Sequence, residues 1–126
     1  MKQIACPVAL HPDGATHRIA VYQDPTGGLH LAHTITPSPQ DATGIAARLL
    51  FAMSALETRA ALPIGTAATS AEMWHFALCR IVPPVREQWK HLHAETGTLL
   101  HWRWMPLDAP LEGLSAVTRK LGPKGT

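Results

Sequence analysis

Residues 46–56, AARLLFAMSAL, make a helix-length run with one charge, Arg48, and almost nothing polar. A helix that is apolar on nearly all sides is usually buried on nearly all sides. The run therefore demands a fold that covers it, with a sheet beneath and more protein, a partner or a ligand above. Asp41 has the short polar side chain that suits an N-cap, so the pattern predicts a helix from about Ala42 to Leu56.

Short strand-like runs supply the sheet. IACPVAL (4–10) and RIAVYQD (18–24) read as strands, separated by HPDGATH with its Pro-Asp-Gly turn. LHLAHTI (29–35) alternates apolar and polar residues, as a strand with one covered face should, and TPSPQD breaks the chain before the helix. After the helix, RAALPIGTA is extended but interrupted by Pro63, and EMWHFALCRI (72–81) is the clearest strand of the second half. VREQWKHLHAETG reads as a loop and TLLHWRWMPL (98–107) as a strand. Leu111, Leu114, Val117 and Leu121 recur at helical spacing and predict a short C-terminal helix. The order strands, helix, strands, helix predicts a single domain over residues 1–126. Its class is α+β or mixed α/β, one sheet with helices packed on it.

The 126 residues suffice for one core, and a hydrophobic fraction of 46% argues against disorder. Cys6 and Cys79 lie in separate apolar runs, which suggests buried free thiols in a reducing compartment rather than a zinc or redox motif. Net charge is +2 without clustering, and Arg119, Lys120 and Lys124 read as a solvated tail. The eight histidines should raise the charge toward pH 6. No apolar run has the length of a signal peptide or approaches the roughly 20 residues of a membrane span. The expectation is a soluble cytoplasmic protein with neither nucleic acid nor membrane as partner.

The middle of the chain resembles the Nudix family. YQDPTGGLHLAHTITPSPQ looks like the strand and loop that lead into that family's box. The box runs Gly, five residues, Glu, seven residues, then Arg-Glu-aliphatic-any-Glu-Glu-any-Gly-aliphatic. Laid on without gaps, it puts Thr34 at the first Gly, Gln40 at the first Glu, Arg48 at the Arg, and Leu50 and Leu56 at the aliphatics. Leu49, Ala52 and Met53 stand where further glutamates belong, and Ala55 at the final Gly. WKHLHAETGTLLHWRWMPLDAPL is similar to the late strand region of bacterial members, a Trp-any-His before an aromatic strand ending Trp-any-Pro-Leu. The resemblance covers residues 18–112 and implies an α/β/α sandwich with a mixed sheet.

The resemblance also says what is missing. The family's glutamates hold divalent cations that bridge diphosphate oxygens and help activate a water. Magnesium and manganese want carboxylate oxygens, and they neutralise charge on a phosphoanhydride as it is cleaved. Leu49, Ala52 and Met53 offer no such oxygen and Gln40 only a neutral amide, so no metal or cofactor is expected. Ile45, Leu49, Ala52, Met53 and Leu56 fall on the stripe where the acids would stand, with Ala46, Ala47, Leu50 and Leu56 toward the sheet. The cleft is expected to be dry: packed by the protein, covered by a subunit, or filled by an apolar ligand. Its expected lining is Gln40, Arg48, Leu49, Ala52, Met53, Trp102 and Trp104.

Other residues that carry chemistry are scattered. His91 and His93 share a face if their segment is extended, and with His75 or His101 they would suit zinc, although the spacing is not diagnostic. His30 and His33 flank the strand before the box. Trp102 and Trp104 share one strand face, one suited to the core and the other to a planar ligand or a dimer contact. Proton-transfer candidates are His33, His75, His91, His93, Glu57 and Glu95, with Glu72 and Glu87 as further surface carboxylates. Three functions stay open. One is a Nudix-fold protein without metal-dependent diphosphohydrolase activity that binds a small molecule or a protein. The others are an enzyme using the cleft for metal-independent acid–base chemistry or residual hydrolysis of a nucleoside-diphosphate-type substrate, and a homodimer or subunit of an assembly with the helix or the tryptophan strand at its interface.

Overall fold

A computed structural model describes residues 1–13 and 18–106. Eight strands and one helix follow in the order β1 (Lys2–Leu10), β2 (Arg18–Gln23), β3 (Leu29–His30), β4 (Thr34–Ile35), α1 (Ala42–Ser54), β5 (Thr58–Ala68), β6 (Glu72–Ile81), β7 (Gln88–His93) and β8 (Thr98–Pro106). The strands form one mixed sheet, ordered β5-β6-β1-β2-β8-β7. Within it β1 and β6 run parallel from Lys2↔Glu72 to Leu10↔Arg80, while the other pairs are antiparallel. The expected C-terminal helix around Leu111–Leu121 lies outside the described residues.

Two elements differ from the sequence expectation. LHLAHTI is not one strand: β3 pairs with β2 and β4 with β1. β1 and β2 share only the Leu10↔Ile19 register, so this segment bridges the gap where they diverge. The segment expected as a loop before residue 98 contains β7, paired with β8 from Gln88↔Arg103 to His93↔Thr98. Its turn closes on Gly97, whose φ of 69° suits glycine, and the amides of Thr96 and Gly97 both bond the His93 carbonyl. β5 tolerates Pro63 because it is an edge strand, with a register shift between Pro63 and Gly65.

The helix rests on a layer of small side chains. Ala42 and Ala46 pack on Ala5 of β1 and Ala77 of β6, which lets the helix lie close to the sheet. Leu50, Met53 and Leu56 continue into a second cluster with Ala9, Cys79, Ile81, Leu100, Trp102 and Trp104. Helix α1 touches β1, β5, β6 and β7, so both edges of the sheet reach one helix and the sheet curls around it. The opposite face buries Cys6, Val8, Ile19, Val21, Leu31 and Phe76. Cys6 and Cys79 are both buried free thiols; burial pushes the Cys6 thiol strongly up and Cys79 up to about 11.

Candidate functional site

The C-terminal end of α1 is held by tryptophans. A helix leaves its last carbonyls without intrahelical donors. Here the Trp102 indole N–H donates to the Met53 carbonyl at 2.9 Å and that of Trp89 to the Ser54 carbonyl at 2.8 Å. The two rings stack with centroids 6.0 Å apart and an interplanar angle of 10°. The Ser54 hydroxyl donates to the Leu50 carbonyl, and the Leu56 amide donates back to that hydroxyl. At the other end Asp41 occupies the cap position but makes no side-chain capping bond; its carboxylate accepts from the Ser38 hydroxyl instead.

These bonds place the aromatic candidates in the core. Trp102 is 2% exposed and Trp104 7%, and the Trp104 indole donates to the Arg86 carbonyl at 2.8 Å. Both belong to the cluster under α1, so neither offers a free ring to a planar ligand. Of the acid positions, Met53 is buried in the same cluster, Leu49 packs half-buried against it, and Ala52 and Gln40 are exposed. The helix is apolar all round without being buried all round: Phe51 is 54% exposed. A one-sided cover explains this, since α1 rests on the sheet and its outer face has no described layer above it.

An open groove runs along the other flank of the helix. Its volume is about 550 Å³, and it is lined by Ala47, Arg48, Phe51, Glu57 and Thr58. It joins Arg48 from the expected cleft to Glu57 from the expected proton-transfer set, away from the other cleft candidates.

The histidines are dispersed. His91 and His93 do share the helix-side face of β7, but His101 alternates to the other face of β8 and His75 lies on β6, bonding Gln3 Oε1 at 2.6 Å. His93 is buried, with Thr96 Oγ1 at 3.3 Å and Glu95 at 3.9 Å. His33 donates to the Leu31 carbonyl and packs on Trp74 at 4.8 Å. Among the described residues no three His, Cys, Asp or Glu side chains stand together in a metal-holding group.

Two polar constellations were not visible as sites in the sequence. The His11 ring is buried edge-on against Trp104, with Nδ1 accepting the Asp13 amide and Nε2 facing Glu87 at 3.0 Å. Arg18 bridges Glu87 at 2.7 Å and Asp13 at 2.8 Å, and with His11 it holds the Glu87 carboxyl below its usual range. The partners lie 76 residues apart, so no local pattern points to them. The second is nearer to legible. The turn DPTGG pairs β2 with β3 and brings Asp24 Oδ2 to 2.6 Å from His30 Nε2. Asp24 Oδ1 accepts from the Thr26 hydroxyl and from the Thr26 and Gly28 amides. Those donors and His30 hold the Asp24 carboxyl far below the ordinary range. Opposite His30 is Tyr22, which stands between the His30 and Trp102 rings on the helix side of the sheet.

No protein-family model matches the chain, and no curated protein matches it either. Solved structures do. An ADP-ribose pyrophosphatase from Streptococcus suis 89-1591 is similar with a TM-score of 0.62 at 15% identity, over 95% of this chain and 86% of that one. With its single described helix on a large mixed sheet, this chain has a Nudix-like α+β fold.

Proposed function

We propose that the chain is a Nudix-fold protein that acts by binding a small molecule or a partner, without metal-dependent diphosphate hydrolysis. One observation carries the reading: the side chains at the four acid positions do not fit a divalent cation. Leu49 and Met53 pack with the core, Ala52 ends in a methyl, and Gln40 is a neutral amide in the exposed turn before the helix. A hard cation gains little from this set compared with water. The two buried free thiols suit a reducing compartment such as the cytoplasm. No helix of the described residues is long and apolar enough to cross a membrane.

The test is a turnover screen with ADP-ribose and other nucleoside diphosphates, with magnesium or manganese. No hydrolysis is expected; turnover that a chelator removes would sink the proposal. Thermal shift on the same panel reports binding, because a ligand at about 100 times its Kd adds roughly 2.7 kcal/mol.

A second reading rests on Asp24 and His30. A carboxylate fixed by three donors and bonded to a half-exposed imidazole is a geometry that orients a general base. Metal-independent turnover that disappears in His30→Ala would favour this reading over binding alone.

A further inference from the structure

We propose that the Asp24–His30 pair is an acyl-transfer site, with His30 Nδ1 as nucleophile toward small neutral esters and Gly28 as the residue that positions the pair. This rests on the second reading above and names its substrate class. An ionised carboxylate only accepts hydrogen bonds. Asp24 Oδ2, 2.6 Å from His30 Nε2, therefore fixes the proton of the neutral ring on that nitrogen. The lone pair is then on Nδ1, which makes no hydrogen bond among the described residues. The side chain is 41% exposed, which leaves the ring open to a solute.

The imidazole is backed as well as paired. Trp89, Trp102, Tyr22 and His30 form one aromatic row, with successive ring centroids 6.0, 5.3 and 5.4 Å apart. The two tryptophans are bonded in turn to the end of α1. Gly28 leaves the space in which the pair closes. It is not among the glycines of positive φ, so no backbone demand keeps a glycine there. A Cβ at this position would stand 3.1 Å from Asp24 Oδ2 and 3.2 Å from His30 Nε2, pressing on both partners of the bond.

The surroundings select the substrate. The amides of Thr26 and Gly28 both donate to Asp24. Neither is left to stabilise an oxyanion, so the leaving group has to be a good one. The ionised Asp24 repels an anion such as a diphosphate, and a neutral ester avoids that repulsion. In the reaction the Nδ1 lone pair bonds to the ester carbonyl carbon. The bond from that carbon to the leaving oxygen breaks, and the oxygen departs with the electron pair. The ring is then an acylimidazolium whose Nε2 proton stays bonded to Asp24, which stabilises the new positive charge. Water adds to the acyl carbon and the carbon–nitrogen bond breaks, its electron pair returning to Nδ1. One proton of the water stays with the carboxylic acid and the other goes to solvent.

The probe is para-nitrophenyl acetate, cleaved by the full chain in the presence of a chelator, with nitrophenolate release read by absorbance. The parent should be roughly tenfold faster than His30→Ala, under the hundredfold or more of an enclosed acid–base site. The other histidines are common to both chains and cancel. Gly28→Val should fall to the His30→Ala rate and Gly28→Ala part of the way, although both keep Asp24 and His30. Circular dichroism checks folding, and Gly28→Ala carries the test if Gly28→Val does not fold. Proton NMR of the parent should show a low-field signal from the bonded His30 Nε2–H, weakened or lost in both Gly28 variants; a merely structural glycine would leave it in place. A parent no faster than His30→Ala, or Gly28 variants that keep the parent rate, would overturn the proposal. Metal-independent turnover of another substrate that needs His30, without ester cleavage, would remove this proposal and leave the second reading standing.

Discussion

Ala55 is the residue at which the backbone asks for something its side chain does not supply. It ends α1 in the left-handed region, φ 65° and ψ 8°, with its amide bonded to the Phe51 carbonyl. Only glycine takes that conformation without a Cβ penalty, and the family pattern that this stretch resembles has glycine there. Ala55→Gly should therefore stabilise the fold by about 0.5–1 kcal/mol, read as a higher urea midpoint with unchanged slope. Asp24 is a residue whose protonation matters. Its carboxyl is lowered, first by the Thr26 hydroxyl and then by His30 and the turn amides. A lowered carboxyl contributes stability that is present above its unfolded value near pH 3.9 and is lost as pH falls through the folded one. Asp24→Asn should thus be less stable than the parent at pH 6, with the gap closing as both are unfolded in urea at successively lower pH toward 2.

At the scale of the element, α1 depends more on its end than on its propensity. Its C-terminal carbonyls are met from β7 and β8 by Trp89 and Trp102, so the helix is tied to strands remote in sequence. Trp102→Phe keeps most of the ring but leaves the buried Met53 carbonyl without its donor. Leaving a buried acceptor unpaired costs about 1–3 kcal/mol, which should appear as a lower midpoint in chemical denaturation. Indole hydrogen bonds also explain why neither Trp102 nor Trp104 is the ring open to a planar ligand or a dimer contact that the spacing suggests: both are buried under α1. Alternation correctly put Trp102 and Trp104 on one face, with His101 exposed on the other. It could not say that a helix end lay over that face to accept the Trp102 indole N–H, or that the Trp104 indole would donate to the Arg86 carbonyl.

For the whole molecule, the number of layers decides what the apolar run at 46–56 can do. The periodicity of the runs marks six of the nine helix and strand segments closely, β3 and β4 being joined into one run and β7 read as a loop. EMWHFALCRI coincides with β6, and the helix starts at Ala42 as expected but ends two residues early, at the Ala55 cap. QWKHLH has too little apolar character to mark β7 as a strand, and its strand conformation comes from pairing with β8. The sequence by itself determined the periods, the class of fold and the absence of carboxylates at Leu49, Ala52 and Met53, since these depend only on residue type and spacing. Only the tertiary structure decided which sides of α1 are covered, that the groove joins Arg48 to Glu57, and that Asp24 meets His30. Burial and pairing across the sheet are set by strands that diverge and curl around the helix, and spacing along the chain carries no record of that curvature.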